Sequence, residues 1–160
     1  MQTIKMTLDP KSIASAIKQL DKYQLMVERK LKTVCERLAT MGATNASLLF
    51  SRTAYTGDAD YEVSVEERGD KQYAIVASGN TVLILEFGAG IRYGSGHPQA
   101  QQFGYGPGTY PNQKHAMDPK GWWTPAGEHT YGNAPSMAMY NTAKDLEKEV
   151  ERVVQEVFAT

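Results

Sequence analysis

Cysteine is nearly absent from this sequence of 160 residues, where Cys35 is the only one. A single thiol excludes an internal disulfide and any zinc site built from several cysteines. Cys35 lies within a helical pattern of apolar residues, and there cysteine most often behaves as a small buried apolar side chain. We therefore predict that a hydrophobic core stabilises the fold, for which the chain is long enough.

Long apolar segments and a strong net charge are also missing. The first twelve residues lack the apolar stretch of a signal peptide, and no run reaches the length of a transmembrane helix. We therefore expect a protein that folds in a cytoplasm. The formal net charge is −1, which argues against a dedicated nucleic-acid binder, because such proteins gain affinity by neutralising phosphates.

The few net charges are unevenly spread along the chain. Residues 1–41 carry eight basic and four acidic side chains, whereas residues 133–160 carry three basic and five acidic ones. This polarity would suit a protein whose ends meet different surfaces. A solvated helix face explains it equally well.

The glycines after residue 87 do not form a nucleotide-binding motif. A dinucleotide fingerprint needs three glycines in register and a helix that starts at once, so that helix amides face the pyrophosphate. In residues 88–94 the third glycine comes one position late, and residues 95–98 read Ser-Gly-His-Pro instead of opening a helix. A glycine-lysine-serine or -threonine sequence is absent as well, which excludes a P-loop. We expect no nucleotide cofactor.

Histidine is scarce too. His97, His115 and His129 are too far apart for a helical two-histidine zinc motif, and no His-Glu-x-x-His sequence occurs. A metal site assembled from three loop histidines stays open as an alternative, but isolated histidines in polar loops are more often simply polar residues. We predict no metal and no other cofactor.

A long amphipathic helix is predicted over residues 10–41. Asp9 supplies an N-cap side chain and Pro10 the first helical position. Apolar residues then recur at alternating spacings of four and three, and Gly42 is predicted to end the helix. This stripe consists of Ile13, Ile17, Leu20, Val27, Leu31, Val34, Leu38 and Met41, with Gln24 in one slot. A second, short helix is predicted over residues 43–51.

Such a stripe suits either a helix packed on its own domain or a coiled-coil seam between subunits. It broadens through Ala14, Ala16 and Leu25. A strict two-position seam is narrower, so packing within the chain is the favoured interpretation.

Residues 59–87 are predicted to form a meander of three antiparallel strands. Apolar and polar residues alternate over 61–66, a turn follows, and residues 72–77 return. Residues 81–87, of which five are apolar, are predicted to be the third and most buried strand. A sheet this small needs a cover for its apolar face, and the long helix can supply it.

The chain ends in a second amphipathic helix, predicted over residues 134–158. The sequence thus predicts one α+β domain over residues 1–160. In it a long N-terminal helix and a C-terminal helix pack on a small antiparallel sheet.

Residues 88–133 differ in composition from the rest of the chain. They hold ten of the fourteen glycines, five of the seven prolines and both tryptophans. A connection this long without regular structure is uncommon in a compact domain, where it is usually functional or disordered. Its aromatic residues are too many for a disordered linker. We predict an extended loop that becomes ordered by packing on a partner.

The order of these elements and three short motifs resemble the head–tail connector and tail-completion proteins of long-tailed bacteriophages, some of which are named minor tail or neck proteins. The motifs are an apolar run ending in Glu86-Phe87-Gly88-Ala89-Gly90, a loop with Gly121-Trp122-Trp123, and a glycine-bearing entry to the last helix at Gly132-Asn133-Ala134. The resemblance extends from about residue 10 to the end of the chain.

This resemblance implies a structural role without catalytic residues. It implies a small α+β subunit that forms a ring with copies of itself, often of six, at the joint between capsid portal and tail. The other implied partners are portal or connector proteins and tail-tube or tail-terminator proteins. The expected location is the virion, assembled in the host bacterial cytoplasm. No membrane and no sequence-specific nucleic acid are expected as partners, although DNA would pass through the ring.

The resemblance and the aromatic content together predict a contact surface for a neighbouring subunit. Aromatic residues that a domain of this size cannot bury would gain most from burial against a partner, where they dominate the binding energy. The predicted interface residues are Glu86, Phe87, Gly88, Gly90, Arg92, Tyr93, Tyr105, Tyr110, Trp122 and Trp123. Within this set, Glu86 is expected to pair with a base such as Arg92 or to turn to solvent.

An alternative from another class is a small hydrolase that uses Glu86 and a loop histidine in an aromatic-lined cleft. The sequence has no Gly-x-Ser-x-Gly nucleophile elbow and no persuasive acid to orient a base. We therefore expect a protein that is not an enzyme.

Overall fold

The structure is a computed structural model that describes residues 4–53, 60–93, 96–105, 118–123 and 127–159. Its elements in chain order are α1 (Pro10–Thr53), β1 (Glu62–Gly69), β2 (Gln72–Ser78), α2 (Val82–Phe87), α3 (Ala100–Phe103), β3 (Trp122–Trp123), β4 (His129–Thr130) and α4 (Ala138–Ala159). In the described part the strands form two separate antiparallel pairs, β1 with β2 and β3 with β4. The predicted α+β class is confirmed.

Helix α1 is longer than predicted, because Gly42 does not end it. The helices predicted over 10–41 and 43–51 are one continuous helix of 44 residues. A Cβ atom at position 42 would overlap the side-chain ends of Ile75 and Leu146. Glycine therefore serves here to let β2 and α4 approach the helix closely, at a helix-propensity cost of about 1 kcal/mol.

The C-terminal half of α1 packs against α4. Val34 of α1 forms a buried cluster with Val153 and Val157 of α4, and Leu38 and Met41 pack against it. The ends show that the helices are antiparallel, because Lys30 donates a hydrogen bond of 2.9 Å to the Val157 carbonyl, and Asn45 lies 3.4 Å from the Thr142 hydroxyl. This part of the stripe packs within the chain, as predicted.

The first five turns of α1 lie beyond the end of α4. We call residues 10–29 the free half of α1; at 1.5 Å per residue it is about 30 Å long. The stripe residues Ile13, Ile17 and Leu20 are 37%, 53% and 55% exposed. Over residues 10–26 only Ala16 is buried and only Ser12 is half-buried. One stripe therefore has two different environments.

The β1–β2 hairpin has the predicted strands, with Val63 opposite Ala77 and Val65 opposite Ile75. Besides apolar packing, two side-chain hydrogen bonds between described residues join it to α1. The ammonium of Lys32 lies 3.2 Å from a Glu67 carboxylate oxygen, and this hydrogen bond raises the pKa of Lys32.

The second contact joins Tyr73 of β2 to α1. Its hydroxyl donates to Glu36 over 3.0 Å. Burial and then this hydrogen bond raise the pKa of Tyr73.

The predicted third strand is wrong, since residues 82–87 form the short helix α2. Its residues Val82 and Leu85, three positions apart, are buried in one cluster with Phe50 of α1 and Ala138 of α4. A run of six residues, five of them apolar, fits a buried strand and a buried helical turn equally well by periodicity. Here the space between α1 and α4 favours the helix, which ends where the Gly88 amide donates to the Ile84 carbonyl.

The region 88–133, predicted as one extended loop, holds short elements in its described parts. Besides α3, β3 and β4, Ala89 and Asn133 form an isolated antiparallel bridge. The following helix α4 begins at Ala138 instead of residue 134. The single cysteine, Cys35, is half-buried instead of buried.

Candidate interaction site

Glu86 is buried, with 5% of its surface exposed, and it caps α4. One carboxylate oxygen accepts the Met139 amide over 2.9 Å, and the other accepts the Tyr140 amide over 3.0 Å. The Met137 carbonyl accepts the first hydrogen bond within α4, so Met137 holds the N-cap position without a capping side chain. Glu86 supplies that cap from α2, and its negative charge suits the positive end of the helix dipole.

His97 completes the surroundings of this carboxylate. Its Nε2 lies 3.2 Å from Glu86 Oε1, and its Nδ1 accepts the Gln99 amide over 3.0 Å. These partners assign the proton to Nε2, which donates to Glu86. The ring is buried between Phe87, at 4.4 Å between centroids, and the edge of Tyr140, at 5.4 Å. The described segment 96–105 is thereby anchored to α2 and α4.

The sequence predicts that Glu86 pairs with a base such as Arg92 or turns to solvent; the base beside it is His97, and neither Arg92 nor solvent takes that place. The Arg92 guanidinium instead lies 3.6 Å from the centroid of the Tyr131 ring, in cation–π geometry. The physical reason is burial, because a carboxylate at this depth needs nearby donors and the first amides of α4 provide them.

Arg92 begins a row of stacked side chains on the surface. The Tyr131 ring meets the edge of His129 at 4.9 Å, and His129 meets Trp123 at 5.1 Å, both nearly perpendicular. We call these four residues the aromatic row. Trp123, the last of them, is 70% exposed. Large aromatic residues this exposed are unusual on a monomer and are enriched at interfaces.

Close backbone packing fixes the row in place. Trp122 pairs with Thr130 and Trp123 with His129 across the β3–β4 hairpin. The chain around Gly90, which has a φ of 82°, runs directly against residues 131–132, and a Cβ there would overlap the Tyr131 carbonyl and lie 3.2 Å from the Trp122 ring. The glycine therefore permits a close approach that any larger residue would prevent.

The structure divides the predicted interface residues into three groups. Four are buried in this chain, namely Glu86, Phe87, Gly88 and Gly90; two are half-buried, namely Tyr105 and Trp122; and three are exposed, namely Arg92, Tyr93 and Trp123. Tyr110 lies outside the described residues, as does His115. Of the buried members, Gly90 packs directly against the row, whereas Glu86 caps α4. The exposed members are the candidates for direct contact with a partner.

Sequence reasoning missed His129 and Tyr131 as members of the site. A signal was present, because residues 122–123 and 129–131 are short aromatic stretches separated by a segment with Pro125 and Gly127. That pattern is typical of a hairpin, which brings the two stretches side by side.

A groove of about 430 Å³ lies beside Glu86 and His97 and is lined also by Phe103, Lys144 and Glu147. Among the described residues that line it there is no serine, threonine or cysteine. Both Glu86 oxygens accept amides of α4, and the second nitrogen of His97 accepts the Gln99 amide. A proton-transfer role for this pair would therefore disrupt the cap of α4.

Comparison of the chain with protein-family models, curated proteins and solved structures finds no match. Within the described ranges, no three His, Cys, Asp or Glu residues are grouped so that they could hold a metal ion. No helix of the described part is long and apolar enough to cross a membrane.

Proposed function

We propose that this chain is a non-enzymatic structural protein of a bacteriophage virion. It acts in head–tail joining or tail completion, as a subunit of a ring formed with copies of itself. Its other partners are the portal or connector and the tail-tube or tail-terminator protein. The motifs at Glu86, Trp122 and Gly132 support this family, and the aromatic row is the observation that carries the proposal of an interaction surface.

The row has the properties of a binding surface prepared in advance. Trp123 is 70% exposed, and its ring packs against His129, which in turn packs against Tyr131. Covering its exposed area would contribute about 4 kcal/mol before the cost of association, at about 25 cal/mol per Å². Contacts along the row restrict these side chains before binding, which lowers the side-chain entropy that association costs.

Replacement of Trp123 tests the proposal. We expect Trp123→Ala to weaken self-association, or binding to the portal protein of the same phage genome, by about 2 kcal/mol or more, which is about thirtyfold in Kd. Light scattering gives the mass of the assembly and electron microscopy shows whether rings form. Thermal unfolding should not change, because the side chain is exposed.

Trp123→Phe is the matched control, since it keeps an aromatic face on the row and should assemble nearly as the unmodified chain does. The interface assignment is contradicted if Trp123→Ala forms the same rings with the same affinity for the portal. A chain that forms no ring, alone or on the portal, contradicts the ring itself.

The hydrolase hypothesis has one observation in its favour, the distance of 3.2 Å between His97 and Glu86 beside a groove. Glu86→Gln decides it. The proposed structural role predicts that the change lowers stability and leaves no hydrolytic activity to be lost on ester, amide or glycoside test substrates. A hydrolase predicts a measurable activity that disappears in the variant.

A further inference from the structure

We propose that copies of this chain join head to tail, with the free half of α1 from one copy lying in a groove between α1 and α4 of the next. This inference rests on the proposed function and names a second contact between neighbouring copies in the ring, separate from the aromatic row. It is carried by an uncovered apolar stripe, an apolar groove elsewhere on the same chain, and opposite charges at the two.

The stripe on the free half of α1 has the geometry of a helix that packs on other helices. Ile13, Ile17 and Leu20 continue the same alternating spacing of four and three that packs Val34 and Leu38 against α4. Yet these three side chains are 37–55% exposed. Burying such large apolar side chains contributes about 1.5–3 kcal/mol each, so leaving the whole stripe in water forgoes several kcal/mol.

The groove lies on the flank of the packed half and has a volume of about 640 Å³. Met41, Leu48 and Val153 contribute apolar side chains, and Leu48 is 48% exposed. Thr40 and Thr44 also line it, and each hydroxyl donates to a carbonyl of its own helix over 2.9 Å. Both hydroxyls would therefore keep their hydrogen bonds when another chain covered the groove. An apolar groove beside a helix pair is a recurrent receptor for an amphipathic helix.

Length and charge agree with this match. The α1 wall of the groove runs from Glu36 to Leu48, about 18 Å at 1.5 Å per residue. The stripe from Ile13 to Val27 is similar, at about 21 Å. The free half carries four basic and two acidic residues, whereas the groove is lined by two acidic side chains, Glu36 and Glu156, and one basic one, Arg37. Opposite charges favour this encounter over contact between two free halves.

The position of the two surfaces decides the kind of assembly. Stripe and groove occupy different parts of one chain, so their contact is heterologous, and heterologous contacts produce closed rings when the rotation between copies closes. A stripe that paired with its own copy would give a two-fold dimer instead and would leave the groove empty.

Cross-linking between single cysteines tests the contact. In chains with Cys35→Ala, one variant carries Ile17→Cys and a second, distinguished by a mass tag, carries Leu48→Cys. Each chain then carries a single cysteine, so every disulfide joins two chains. A disulfide needs Cα atoms within about 7 Å, so its yield reports how often the two positions meet. Gln19→Cys mixed with Ser47→Cys is the control, because both positions are exposed and lie beside the proposed contact.

The mixture is oxidised mildly at the highest soluble concentration. We expect the yield of the mixed 17–48 dimer to be several-fold higher than the yields of the 17–17 and 48–48 dimers and of the control pair. Predominance of the 17–17 dimer would replace the proposal with a coiled-coil contact. A 17–48 yield no higher than that of the control overturns it as well. The proposed function is judged separately, because rings that depend on Trp123 but give no 17–48 product would refute only this contact.

Discussion

The two halves of α1 share one sequence pattern but differ in how deeply its apolar residues are buried. In the half that begins near Lys30, the stripe residue Val34 is 5% exposed and packs on α4. In the free half, Leu20 holds an equivalent place in the pattern and is 55% exposed. The difference shows that a periodic stripe specifies which face of a helix is apolar. What covers that face depends on where the partner helix ends.

The starts of the two long helices make a parallel contrast. α1 is capped by its own neighbour, because one oxygen of Asp9 accepts the amides of Lys11 and Ser12, each over 3.0 Å. α4 is capped by Glu86, which is 53 residues from Met139 in sequence. The first cap is local and exposed, and the second is buried and joins separate elements.

The largest expected difference in the free energy of unfolding is between Phe50→Ala and Leu20→Ala. Phe50 is fully buried in the core with Val82 and Leu85, so its truncation should lower the free energy of unfolding by about 3–5 kcal/mol. Leu20→Ala should change it by no more than about 0.5 kcal/mol, since the side chain is exposed. Urea unfolding of dilute protein measures both. Similar losses for the two variants would mean that the free half is covered in the monomer.

Removal of the buried cap should have the next largest effect. Glu86→Ala leaves the amides of Met139 and Tyr140 and the His97 ring without their acceptor, so we expect a loss of about 2–3 kcal/mol in unfolding free energy. Glu86→Gln should lose less, because its amide oxygen can still accept one of these bonds. If Glu86→Ala lowered the free energy of unfolding by no more than an ordinary surface substitution does, the capping role would be contradicted.

Removal of the exposed cap at Asp9 should destabilise only the free half of α1. Asp9→Ala should reduce the helix content of the free half, seen by far-ultraviolet circular dichroism and by faster amide exchange there. The unfolding midpoint of the packed elements should stay unchanged. A shifted midpoint would show that both halves of α1 unfold together.

The same cap should respond to acid. Hydrogen bonds from Thr7 and then from the Ser12 amide hold the pKa of Asp9 below its ordinary value of 3.8. A lowered pKa means that the cap is fully effective above the ordinary value and is lost as the pH falls through the lower, folded-state value. Asp9→Asn keeps a capping side chain without the charge, so helix content in the free half should not show this acid dependence.

The sequence predicted those features that depend on near neighbours. The N-cap at Asp9, the hairpin strands and the apolar stripe of α1 follow from local pattern, and the structure confirms them. The prediction that Gly42 ends the helix was wrong, because a glycine inside a helix and a glycine that ends one look alike in sequence. Only the neighbouring side chains of Ile75 and Leu146 explain the difference.

The site was predictable in part. Trp122, Trp123 and Arg92 were named from composition and resemblance, and they lie within or beside the aromatic row. The role of Glu86 was not predictable, since neither Met139 nor His97 is near it in sequence and no local motif joins them. A short apolar run such as residues 82–87 likewise carries too few periods to distinguish a strand from a helical turn.

The Glu86 cap has a consequence for the order of folding. Its bond to Met139 closes a chain segment of 53 residues, and closing such a loop costs about 3–4 kcal/mol in chain entropy before the contact can form. The start of α4 is therefore secured only after α2 and the core around it are in place. We expect the first turn of α4 to form late and to melt together with the core, rather than to fray as a free helix end would.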